Sequence, residues 1–166
     1  VQTGLALGSN LGDRLALLRA GRDFLLALHE GPEAAAVSAV YETDPVDCPP
    51  GSSAFLNAVV IISTALAPAA LWARLAAFER QLGRPARRAH HAPRPLDLDI
   101  LYSGAALLDS PELVLPHPRL AGRRFVLQPL AALQPRLVLP GQTRTVGELL
   151  AALPAEPAVR LFASTW

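Results

Sequence analysis

The chain has 166 residues, 51% of them hydrophobic, and a formal net charge of +1; one compact domain with a sizeable core fits that size, and no global field marks a nucleic-acid binder. All the basic charge is arginine, which rules out chemistry built on lysine, and the lone Cys48, beside Pro49 and Pro50, rules out an internal disulfide or a multi-cysteine metal site. No signal peptide and no apolar run of about 18–20 residues is visible, so the expectation is a soluble, cytoplasmic protein formed of a single domain over residues 1–166.

The segment TGLALGSN begins as a short apolar strand and breaks at Gly8. Asn10 and Asp13 can cap a following helix, and the spacing of Leu17, Phe24 and Leu28 predicts an amphipathic helix over 13–29, stopped by Gly31 and Pro32. AAVSAVYET (35–43) reads as a second strand. Residues 44–54, with three prolines and a glycine, are a loop. FLNAVVIIST is a strong strand whose unbroken apolar character suggests burial on both faces. Leu71, Leu75, Phe78 and Leu82 predict a helix opened by Pro68 and closed by Gly83. A second loop, RPARRAHHAPRP (84–95), precedes a third strong strand, LDLDILYSG. A weak strand pair with a turn at Asp109–Pro111 follows, then a helix over about 119–132. A Thr145/Glu148 capping box starts a short helix through Leu153. Strands and helices mix without strict βαβ alternation, so the class is α+β, a sheet with helices on its faces.

Asp97 and Asp99 sit two apart in that third strand. Side chains alternate along a strand, so both carboxylates face one side, roughly 7 Å apart at the backbone. Two anions on a partly buried face repel and are poorly solvated unless cations are supplied. A hard divalent ion such as magnesium supplies that charge and accepts oxygen ligands. Arg84, Arg87, Arg88 and Arg94 lie just upstream, and the guanidinium fork suits phosphate oxygens. Carboxylates for metal beside arginines for phosphate are the parts of phosphoryl transfer. The rival reading pairs the arginines with the aspartates directly, and the residues alone leave the two equal.

The other candidates are weaker on local grounds. GSNLGDR lacks the ending of a Walker loop and reads as a strand-to-helix turn. His117, between prolines, has no second histidine at zinc spacing. Phe55 and Phe125 read as core. Asn57 is an amide inside an apolar strand, able to pair donor and acceptor with a heterocycle edge. Glu79 reads as an exposed acid.

LALGSNLGDR, YETDPV, FLNAVV, FERQLGR, PRPLDLDIL and LPHPRLAGRRFVLQPLAAL, in that order over roughly residues 3–140, resemble the 6-hydroxymethyl-7,8-dihydropterin pyrophosphokinase family of folate biosynthesis. The resemblance implies a ferredoxin-like α+β sandwich, mainly antiparallel, and transfer of the β,γ-pyrophosphoryl group of ATP to the pterin's hydroxymethyl oxygen, releasing AMP. It implies two magnesium ions on Asp97 and Asp99, with Arg84 and Arg94 on the phosphates. Trp72, Glu79, Ile100, His117 and Arg123 match the ATP site. Thr43, Val46, Phe55, Asn57 and Phe125 match the pterin site. Residues 8–13 would form the first of three loops around the site, with 44–54 and 84–95 the mobile second and third. The partners implied are these two small molecules, with a monomer, no nucleic acid and no membrane. The chain departs from the family at Ala86, where a second arginine is expected, and at His91 and Ala92 in the third loop. Those departures leave open a pterin-binding pseudo-enzyme. A non-catalytic RNA-binding module is the other alternative, though the strands lack an array of exposed aromatics for base stacking.

Overall fold

The computed structural model of the chain describes residues 1–45, 50–83 and 95–166. Strand β1 (Gln2–Ser9) leads into helix α1 (Arg14–Leu26), whose first turn is capped by Asp13, its carboxylate accepting the Ala16 N–H at 3.0 Å. Asp13 therefore takes the cap, and the helix ends three residues short of the sequence expectation. The strand expected over 35–43 is two pieces, β2 (Ala36–Val37) and β3 (Val40–Thr43). Ser38 causes the break: its N–H donates to the Val59 carbonyl, while its hydroxyl accepts the Val59 N–H and donates to the Ala39 carbonyl. This local bonding competes with a regular ladder.

Strand β4 (Phe55–Ser63) is buried on both faces, as its composition demands. Helix α2 (Pro68–Gln81) carries Pro68 in its first turn, where a missing N–H costs nothing. Strand β5 (Asp97–Ser103) is followed by the small hairpin β6 (Leu108–Asp109) and β7 (Val114–Leu115). The helix expected over 119–132 is a 3₁₀ turn at Leu120–Gly122 followed by α3 (Arg124–Leu133). The break falls at Arg123, extended at φ −109°, ψ 100°. Helix α4 (Val146–Ala152) has both halves of the Thr145–Glu148 capping box. The chain ends on β8 (Val159–Ala163), a strand the sequence pattern does not announce.

The main sheet is ordered β5-β1-β4-β3-β8, with β2 also on β4, and every pairing is antiparallel. The order β5-β1-β4-β3, connected through α1 and α2, is the ferredoxin-like arrangement. Alternation sorts the strand residues between two cores. Leu5, Leu7, Leu56, Val60, Ile62, Leu98 and Ile100 pack with α1 and α2 through Leu18, Leu25, Leu71 and Leu75. Val59, Ile61, Leu101 and Tyr102 pack with α3 and α4 through Val126, Leu127, Leu130, Val146 and Leu149. Each such side chain, fully buried, contributes about 1.5–3 kcal/mol. Leu101 and Tyr102 are consecutive yet face the same core because the β1–β5 register shifts: Gly4 opposes Tyr102 but Leu5 opposes Ile100. Leu101 is the extra residue of a β-bulge.

Candidate functional site

The bulge sets the facing of the acids. Upstream of it, Leu98 and Ile100 point to the α1/α2 core, so Asp97 and Asp99 point to the α3 side. Asp97 opposes Gly8 on β1, Gly8 opposes Asn57 on β4, and Asn57 opposes Tyr41 on β3. One row across the sheet thus carries an acid, a residue without a side chain and an amide. With strands about 4.8 Å apart, acid and amide stand roughly 10 Å from each other over an open floor. A Cβ on Gly8 would lie 3.6 Å from Asn57 Oδ1, so the amide oxygen borders that floor. Thr43 opposes Phe55 one step further out on the same face. Asn57 Nδ2 donates to Thr43 Oγ1 at 3.0 Å, and both residues are buried.

The segment after β7 covers the acid end of the row. The His117 N–H donates to the Leu101 carbonyl at 2.8 Å, fastening the segment to β5. His117 Nε2 stands 4.0 Å from Asp99 Oδ2, and Arg123 Nη1 stands 3.9 Å from the same oxygen. Burial, then Arg123 and Arg119, push the His117 pKa down to about 4, with a backbone hydrogen bond and Asp97 pulling the other way. The ring is therefore neutral at pH 7. Its Nδ1 accepts the Arg119 N–H at 3.1 Å, which puts the proton on Nε2, the nitrogen facing Asp99. Arg123 also lies over the Phe125 ring, 5.6 Å from its centroid. Phe55 and Phe125 are half-buried, and the ring stack among the described residues is Phe24 on Phe78, so the two site phenylalanines do not close on each other.

Three expected ATP residues lie on the other side of β5. Trp72 packs half-buried against the α1/α2 core, and Ile100 is 3% exposed within it. Glu79 is no exposed acid: it is 6% exposed, and its Oε1 accepts the Leu98 N–H at 2.6 Å. The signal for its burial was in the sequence, since Leu71, Leu75 and Glu79 fall at i, i+4 and i+8 on one stripe of α2. Val46, Arg84 and Arg94 lie outside the described residues, as do Cys48, Ala86, Arg87, Arg88, His91 and Ala92.

Two arginines, Arg14 and Arg160, brace this end of the sheet. Arg14 Nη1 donates to Glu42 Oε2 at 2.8 Å and to the Ala54 carbonyl at 2.7 Å. It so joins the start of α1 to the residues just before Thr43 and Phe55. Arg160, on β8, forks onto Asp44 at 2.7 and 3.1 Å. That fork holds the Asp44 carboxyl below its usual range. Arg14 closes the LALGSNLGDR segment and Arg160 stands in no recognisable motif; for both, the signal is a contact made through the fold.

The acid pair offers two hard oxygen donors on one face, and no group of three or more His, Cys, Asp or Glu forms a metal cluster among the described residues. Asp99 keeps 41% of its side chain exposed. This donor set fits magnesium, which takes one or two carboxylates and fills its shell with water and phosphate oxygens. It does not fit zinc, which favours nitrogen and sulfur.

Comparison with known proteins gives a consistent picture. Residues 4–135 match the family model described as 7,8-dihydro-6-hydroxymethylpterin-pyrophosphokinase. A 2-amino-4-hydroxy-6-hydroxymethyldihydropteridine pyrophosphokinase of Pseudomonas aeruginosa is 44% identical over 157 residues, 95% of this chain and 94% of that protein. The Bacillus subtilis protein of the same name is 42% identical over 76% of this chain and 74% of its own length. An Arabidopsis thaliana folate synthesis bifunctional protein is 38% identical over 78% of this chain, which spans only 26% of that protein. Among solved structures, an HPPK-DHPS in complex with substrates superposes with a TM-score of 0.67 at 12% identity, over 91% of this chain and 43% of the other.

Proposed function

Because the chain belongs to the 7,8-dihydro-6-hydroxymethylpterin-pyrophosphokinase family, we propose that it transfers pyrophosphate from ATP to 6-hydroxymethyl-7,8-dihydropterin in folate synthesis. The observation that carries this reading is the Asp97–Gly8–Asn57 row, with His117 and Arg123 drawn up to Asp99 at its acid end. A triphosphate suits the acid and arginine end, and a flat heterocycle suits the amide end.

In this reading the hydroxymethyl oxygen bonds to the β-phosphorus, its proton is released, and the α,β-bridging oxygen leaves with AMP. Asp97 and Asp99 would hold magnesium, two ions with the nucleotide bound, which would supply charge neutralisation for the phosphate oxygens. Arg123 and the Nε2–H of His117 donate to phosphate oxygens beside Asp99, in fixed directions that need no rearrangement as charge moves. Arg84 and Arg94 add charge from the third loop. Trp72 and the backbone at Ile100 pack the adenine. Asn57 and Thr43 read the pterin edge with Val46, and Phe55 and Phe125 hold its faces, worth about 0.5–1.5 kcal/mol beyond burial for each stacked pair. No side chain is assigned as general base.

The chain works as a single domain and a monomer in the cytoplasm, on small molecules and with no nucleic acid. Two cores on one sheet support the single domain, and no described helix is long and apolar enough to cross a membrane. The test is AMP release from ATP, magnesium and the pterin alcohol, with EDTA as control. Wild-type protein should turn over only with metal, and Asp97→Ala should be folded and inactive. Pterin binding without AMP release would make the chain a pseudo-enzyme.

A further inference from the structure

Glu79 is a buried carboxylate that touches the outer edge of the strand bearing the acids. It lies on the inward stripe of α2 with Leu71 and Leu75, and is 6% exposed. Among the described residues strand β5 is the last strand of the sheet, so its N–H groups turned away from β1 meet no described strand. Leu98 is one of them, and Glu79 Oε1 receives its N–H at 2.6 Å. Leu98 stands between Asp97 and Asp99. The flanking acids are held from the opposite side, Asp97 against Gly8 and Asp99 against Ala6 on β1.

Burying a carboxylate is expensive, and a neutral acceptor would satisfy one N–H. What an anion adds is a shorter, charge-assisted bond of roughly twice the strength. We propose that Glu79 is a positioning residue: by gripping Leu98 from the free edge it fixes the pitch of β5, so that Asp97 and Asp99 project at the separation a divalent ion requires. It does so through the Leu98 backbone and not as a metal ligand. The inference rests on the reading that these two aspartates hold metal.

The test uses the full chain with Glu79→Leu, Glu79→Asp and Glu79→Gln. Three quantities are measured: amide hydrogen exchange at Leu98, Mn2+ affinity in the presence of a non-hydrolysable ATP analogue, and the pterin KM. Supporting contacts to metal ligands are worth about 10–100-fold in metal affinity, so Glu79→Leu should weaken Mn2+ binding about tenfold or more. Leu98 exchange should accelerate in parallel, with the pterin KM unchanged. Glu79→Asp is one methylene short and should show the same shift, which keeps the test sharp if the leucine variant does not fold. Glu79→Gln keeps an acceptor oxygen without the charge and should recover part of the affinity, falling between Glu79→Leu and the wild type. Faster Leu98 exchange with unaltered Mn2+ affinity would overturn the proposal. So would a Glu79→Gln variant as impaired as Glu79→Leu that also binds the analogue weakly without metal, since Glu79 would then act on the nucleotide through its charge. A wild-type protein that binds no Mn2+ with the analogue sinks the metal reading itself, a separate result.

Discussion

Asn57 hands one of its amide hydrogens to the hydroxyl of Thr43 at 3.0 Å, across the β3–β4 ladder. The bond decides which way the amide faces: the nitrogen is held toward β3, and the oxygen borders the gap above Gly8. Thr43→Val keeps the shape and deletes the acceptor. A neutral hydrogen bond is worth about 0.5–1.5 kcal/mol, so the pterin KM should rise about 2–12-fold with the ATP KM unmoved. Steady-state kinetics with each substrate varied in turn checks the split; equal changes in both would detach Asn57 from the pterin.

Asp97→Asn and Asp99→Asn should change the stability of the ligand-free protein by no more than about 1 kcal/mol: each removes one of two neighbouring anions, and the Arg123–Asp99 pair at 3.9 Å is partly exposed. What they should remove is the gain in stability on adding magnesium and an ATP analogue. In the wild type that gain is about 2.7 kcal/mol at a ligand concentration 100 times Kd. Thermal melts with and without the ligands measure both effects. An undiminished ligand-induced shift in Asp97→Asn would place the triphosphate elsewhere.

Arg14→Ala should cost about 1–2 kcal/mol of stability, since it strips a charged donor from the Ala54 carbonyl and from Glu42. Its side chain is only 25% exposed, so water replaces the lost contacts imperfectly. Those contacts flank Thr43 and Phe55, and the pterin KM should rise while metal affinity holds. Urea unfolding and kinetics together test this, and Arg14→Lys should recover only one of the two bonds.

Tyr102 ties the second core to alkaline stability. Burial pushes its pKa up to about 12, and its hydroxyl donates to Gln134 Oε1 at 2.7 Å. In the unfolded chain the phenol ionises near 10.0. Between pH 10 and 12 the unfolded state has lost a proton that the native state keeps, so stability falls as pH rises through that window and is unaffected below it. The loss is on the order of 2 kcal/mol by pH 12. Denaturant midpoints against pH, compared with Tyr102→Phe, should show a steeper alkaline fall in the wild type. The ring also covers Gly4: a Cβ there would stand 2.3 Å from the Tyr102 ring edge, so Gly4→Ala should cost about 3 kcal/mol.

Much of this was legible in the sequence, and the gaps have physical causes. Strands β1, β4 and β5 are apolar enough to declare themselves, and the facing of Asp97 and Asp99 follows from alternation alone. Strand β8 escaped because Arg160, Leu161 and Phe162 are all exposed, leaving no period-two pattern to detect. The early helix start expected near 119 failed at Arg123, whose extended backbone separates the turn from α3. Glu79 sits beside the charged Arg80 in sequence, which suggests an exposed acid, while its spacing from Leu75 puts it on the buried stripe of α2. Arg14 reaches residues 28 and 40 positions away, a relationship no local pattern carries.

The extra residue at Leu101 has a consequence for which changes the chain can absorb. Ahead of it, even-numbered positions of β5 are greasy and odd ones acidic on opposite sides; at it, the parity resets, and Tyr102 joins Leu101. Inserting or deleting one residue between Asp97 and Tyr102 therefore cannot be taken up by sliding, because it would send either the carboxylates or the tyrosine into the wrong layer. The hairpin tip around Ser110–Glu112, exposed on every residue, should accept such length changes freely.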